Sequence, residues 1–139
     1  MSDEPVEARL VISVEGTHLI AQLTFFNLWS EPVYLERAKT RPGHRLEYNL
    51  FHIYDGEDRI PFSGALAKRP PPTPDEFDTL VPGGTVEATV RLDRSYDFPH
   101  GAREYEIFYQ AVNASRGEQP LFKLVSNRVT VEYRRGYWP

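Results

Sequence analysis

The chain has no cysteine among its 139 residues, which excludes disulfides, thiolate metal sites and cysteine nucleophiles together. No stretch approaches the ~20 consecutive apolar residues that span a bilayer as a helix. The first residues, Met1-Ser2-Asp3-Glu4-Pro5, are acidic where a secretory leader would be basic and then apolar. The chain as it stands is therefore expected to be cytoplasmic, or periplasmic or secreted if a leader was trimmed. Basic charge is also scarce: 16 Lys and Arg face 20 Asp and Glu, for a net charge of -4. With no basic field to collect phosphates, neither nucleic acid nor a membrane is expected as a partner.

Signatures of chemistry are equally thin. His18, His44, His52 and His100 are spread over different segments, whereas a metal site needs three or four convergent ligands. Asp55, Glu57 and Asp58 crowd one four-residue turn, too short for the twelve-residue spread of an EF-hand loop. Ser63, Ser95, Ser115 and Ser126 lack a G-x-S-x-G setting. Asn113-Ala114-Ser115 has the form of a glycosylation acceptor and is read as a polar loop. The expectation is a chain without cofactor, metal or catalytic site, not an enzyme, with a small hydrolase on a sandwich scaffold as the minority alternative.

Short alternating runs separated by turn residues fill the sequence. Ala8, Leu10, Ile12 and Val14 alternate, Gly16-Thr17 turns the chain, and Leu19, Ala21, Leu23 and Phe25 alternate again, the pattern of a hairpin with one apolar face. Val33 and Leu35 mark a short third strand. Phe51 and Ile53 are expected to face inward opposite Ile60 and Phe62 across the Asp55-Gly56-Glu57-Asp58 turn. Pro61 should make that arm an edge or end it, since proline cannot donate to a ladder. Pro82-Gly83-Gly84 launches Val86, Ala88, Val90 and Leu92. Two more aligned sets follow: Tyr105, Ile107, Tyr109 and Ala111, then Val125, Asn127, Val129, Val131 and Tyr133. Between them, Pro70-Pro71-Pro72 favours an extended crossing, and Thr73-Pro74-Asp75-Glu76 reads as an N-cap with proline at the first helical position.

Strands in this number without an amphipathic helix predict a single all-β domain: an immunoglobulin-like antiparallel β-sandwich of seven to nine strands, with at most one short helical turn. The core is expected over about residues 6–133, with 134–139 as a tail. Tyr105, near the start of its strand, is either a tyrosine corner or a core aromatic with an exposed hydroxyl.

The order of these elements resembles a known module. Phe51, Asp55-Gly56, Pro61-Phe62-Ser63-Gly64, Lys68-Arg69, Pro72-Thr73, Phe77, Leu80, Pro82-Gly83, Val90-Arg91-Leu92 and Tyr96-Asp97 are similar to the β-sandwich domain that precedes the catalytic domain of deuterolysin-type (aspzincin) metallopeptidases. Asn27 to Pro32 with Val33-Tyr34-Leu35 and Thr40 extends the likeness upstream. The chain departs from the pattern at Arg41, at Arg91 where an aspartate is usual, and in the polar stretch from Gln110 to Lys123. The H-E-x-x-H helix of the peptidase is missing, because His44-Arg45-Leu46-Glu47-Tyr48 lacks the second histidine. The resemblance thus implies the non-catalytic pro-domain alone, which assists folding or holds a protease inactive.

Two surfaces are candidates for a protein partner, either a protease or a second copy of the chain. One is the stiff arch Lys68, Arg69, Pro70, Pro71 and Pro72, whose bland reading is a crossover between sheets. The other is the tail Arg134, Arg135, Tyr137 and Trp138, which joins residue types common at interface hot spots and whose bland reading is a frayed terminus. Edge-strand pairing with an extended peptide is a further route to a partner.

Overall fold

The computed structural model describes residues 4–43, 46–64 and 69–136. They form ten strands: β1 (Val6–Glu15), β2 (His18–Asn27), β3 (Val33–Glu36), β4 (Phe51–Asp55), β5 (Asp58–Arg59), β6 (Phe77–Leu80), β7 (Thr85–Arg91), β8 (Gly101–Asn113), β9 (Phe122–Val125) and β10 (Val129–Arg135). One sheet has the order β1-β2-β7 and the other β10-β8-β4-β5, with β9 also on β8 and β3 paired to β6. All these ladders are antiparallel. The antiparallel sandwich expected from the alternation is what the chain forms. The count rises above nine because β6 is a separate four-residue strand and the last predicted strand divides in two.

Among the described residues, helix is confined to single turns: α1 (Arg37–Thr40) and the 3-10 turns Pro74–Glu76 and Leu92–Arg94. Pro74 sits at the first position of its turn, and the Thr73 N–H donates to the Glu76 carboxylate at 2.7 Å, closing the N-terminus as its sequence predicts. Among the described residues, no helix is long and apolar enough to cross a membrane.

β2 shows most directly how the alternation becomes a core. Leu19, Ala21, Leu23 and Phe25 are all fully buried, and each large side chain so buried contributes about 1.5–3 kcal/mol. Glu15 pairs with His18, and Gly16 between them has φ 62°, the glycine-first form of a hairpin turn whose twist suits the flanking strands. On the facing sheet, Phe51, Ile53, Tyr105, Ile107 and Tyr109 close the core. Phe25, Phe51 and Tyr109 meet edge to face at 5.4 and 5.7 Å. β5 stops at Arg59, and Pro61-Phe62-Ser63 leaves to pair with Ser95-Tyr96-Asp97, the ending that Pro61 calls for.

Two expectations are corrected. Val125 was aligned with Val129 and Tyr133, yet Val125 is 50 % exposed while Leu124 is fully buried. The register explains it: Gln110 pairs with Val125, but Ile107 pairs with Val129, so Ser126, Asn127 and Arg128 stand opposite only Phe108 and Tyr109. This is a one-residue bulge, and it reverses which side chains face the core. Tyr105 is neither a tyrosine corner nor a side chain with an exposed hydroxyl. It is 1 % exposed, and its hydroxyl has no hydrogen-bond partner. Tyr96 ties the backbone instead, accepting the Phe51 N–H at 2.9 Å and donating to Asn49 Oδ1 at 2.8 Å.

Side-chain amides seal two strand edges. Asn127, carried out by the bulge, accepts the Leu10 N–H at 2.8 Å and donates to the Leu10 carbonyl at 3.0 Å, so it occupies the place of a neighbouring strand beside β1. Beside β3, Asn113 accepts the Glu36 N–H and donates to the Tyr34 carbonyl, while Gln119 accepts the Tyr34 N–H at 2.9 Å. Unpaired edges invite association, and each device covers its own stretch of edge.

Candidate functional site

A cleft of about 490 Å³ opens between α1 and the proline arch. Arg37, Ala38 and Arg41-Pro42-Gly43 form one wall, and Arg69, Pro70 and Pro72 the other, with Tyr48 and Glu47 at its side. α1 is placed from beneath by Thr40, which is fully buried and donates to the Glu36 carbonyl at 3.1 Å. The Lys39 carbonyl also accepts the hydroxyl of buried Tyr109 at 2.6 Å, so the helical turn is anchored to the core of β8.

Among the described residues, each of Arg37, Lys39, Arg41 and Arg69 around the cleft has an acidic partner. Asp78 of β6 accepts from Arg37 Nε at 3.1 Å and from Arg41 Nε at 3.0 Å, so two guanidiniums share one carboxylate. Burial opposes charge on Asp78, but the bonds from Arg41 and Arg37 outweigh it and hold the carboxyl below its ordinary range. Lys39 bonds buried Glu36 at 3.0 Å and the Val112 carbonyl at 2.8 Å. Arg69 reaches Glu47 at 3.2 Å and lies 5.8 Å from the Tyr48 ring centre, with Lys39 at 5.2 Å from the same ring. Partial burial raises the Tyr48 hydroxyl above its usual value, helped by Glu36. The result is a balanced, pre-ordered set of ion pairs over an aromatic ring, suited to holding polar and aromatic groups.

The predicted surface residues divide. Arg69, Pro70 and Pro72 line the cleft, and Pro71 is exposed beside it. Lys68, Tyr137 and Trp138 lie outside the described residues, as does His44. Arg134 and Arg135 belong to β10, opposite Ala102 and Gly101, and Arg135 also donates to the Phe98 carbonyl. Neither of these two arginines lines the cleft. Among the described residues, no group of three or more His, Asp or Glu is placed to hold a metal.

The sequence reading missed the opposite wall, because Arg37 and Arg41 gain meaning only through Asp78, about forty positions away. It also missed an apolar tip. Buried Asn27 donates to the carbonyls of Glu31 and Leu80 and accepts the Trp29 N–H, fixing a loop that displays Leu28 and Trp29.

No model of a known protein family matches the chain, and no curated protein matches it in sequence.

Proposed function

We propose that this chain is a non-catalytic protein-binding module and that its partner seats in the cleft between α1 and the Arg69–Pro72 arch. The observation that carries this reading is the cleft itself. Its arch wall holds three prolines in sequence, Pro70-Pro71-Pro72, so little backbone freedom remains to be lost on binding. Its guanidiniums are held by carboxylates, and the half-buried Tyr48 ring lines it between Lys39 and Arg69. An extended polypeptide segment fits such a surface: arginine and tyrosine are the residue types that supply most of the energy at protein interfaces.

The motif order around Arg69 supports a narrower version, in which the partner is a deuterolysin-type zinc peptidase and the module acts as a stand-alone relative of its pro-domain. The test is to titrate a purified peptidase of that class with the domain, following both complex formation and proteolysis. Binding that weakens on Arg69→Ala and Tyr48→Ala supports the reading. Neither binding nor inhibition at roughly 100 µM domain would remove the peptidase version. Binding that is indifferent to both substitutions would remove the cleft.

A further inference from the structure

β10 ends its sheet with an edge that lacks the plugs found beside β1 and β3. The Gln110 N–H donates to the Leu50 carbonyl, which turns the even positions of β8 toward β4 and the odd ones toward β10. Val129, Val131, Tyr133 and Arg135 therefore bond β8, opposite Ile107, Tyr105, Arg103 and Gly101. The backbone groups of Thr130, Glu132 and Arg134 point away from the sheet. Among the described residues, no backbone hydrogen bond reaches them.

The side chains on that edge are unbalanced in one chain and balanced in two. Glu132 is exposed and stands directly opposite Glu104, a like-charge cross-strand pair that costs stability. Neither carboxylate has a cationic partner among the described residues, and neither does exposed Arg134 have an acidic one. An antiparallel copy of β10 supplies what is missing. With the two-fold axis at Tyr133, Glu132 faces the partner's Arg134, Arg134 faces the partner's Glu132, and Thr130 faces the partner's Gly136. Moving the axis to Glu132 or to Arg134 instead sets like charges against each other, so of these three registers charge favours the one centred on Tyr133.

We propose that β10 pairs with β10 of a second copy in this register, joining the two β10-β8-β4-β5 sheets into one continuous sheet. The interface is independent of the cleft described above. It is short, so the dimer should be weak and its population should rise steeply with concentration.

Sedimentation equilibrium from about 10 µM to about 1 mM tests it. The expected result is a reversible dimer whose dissociation constant rises at least about tenfold in Glu132→Arg and in Arg134→Glu, and returns to within about threefold in the double swap. Thr130→Pro, which removes an edge-facing N–H without changing charge, should also abolish the dimer. Arg69→Ala, in the cleft, should leave it intact. A chain that stays monomeric throughout, single swaps that associate like the original, or a double swap that is folded by circular dichroism yet monomeric would each overturn the proposal.

Discussion

Asn127 holds both backbone groups of Leu10, 117 positions away, through an N–H to Oδ1 bond of 2.8 Å and an Nδ2 to carbonyl bond of 3.0 Å. Leu10 is itself buried. Asn127 is exposed, so water can replace part of what it supplies: Asn127→Ala should cost about 1–2 kcal/mol, and Asn127→Asp, which keeps the acceptor but sets a carboxylate against the Leu10 carbonyl, should cost at least as much. Urea denaturation of both variants measures the difference.

The buried tyrosines should respond in opposite directions. Tyr96 makes two hydrogen bonds that secure the start of β4, so Tyr96→Phe is expected to lose about 1–3 kcal/mol. Tyr105 carries a buried hydroxyl without a partner, so Tyr105→Phe should be neutral or stabilise by up to about 1 kcal/mol. Thermal melts of the two variants side by side check the contrast.

His52 stacks on Phe108 at 4.6 Å, and Arg128 lies 4.4 Å from the same ring. Burial first, then the charges of Arg59 and Arg128, lower its pKa from the ordinary 6.5. Because the folded state favours the neutral ring, the stabilisation is complete above pH 6.5 and is lost as pH falls toward the depressed value. An NMR titration should place the His52 midpoint below 6.5, and Arg128→Ala should move it upward. A midpoint at or above 6.5 would contradict this account.

Asp78 should behave as the electrostatic keystone of the cleft. Its carboxyl is held below the ordinary 3.8, so its contribution is present above that pH and disappears as pH falls through the depressed value. The pair is partly exposed, so Asp78→Asn is expected to cost only about 0.5–1 kcal/mol in global stability. Its larger effect should be to release Arg37 and Arg41, which the loss of protection in their side-chain N–H exchange would report.

Where one face is buried and pairing is local, the sequence already specifies the structure. β2 alternates without interruption, and its four inward residues, the Gly16 turn and the ending at Pro61 all follow from side-chain period and backbone chemistry. The bulge at Ser126–Arg128 is invisible in the same terms. Val125, Asn127 and Val129 alternate equally well in either register, and only the Leu10 partner of Asn127 decides between them. The cleft divides similarly. The stiffness of Pro70-Pro71-Pro72 is written in the chain, but the facing wall reads as an ordinary polar connection until Asp78 gathers Arg37 and Arg41.

The bond from Asn127 to Leu10 also sets an order of events during synthesis. β1 can pair with β2 as soon as the first hairpin has emerged, but its outer edge stays bare until residue 127 has been made. Contacts this distant in sequence slow folding, and an exposed strand edge is open to stray pairing meanwhile. β1 is thus made long before its outer edge is secured, and a nascent chain halted before Asn127 should be far more prone to aggregate than one extended past β10.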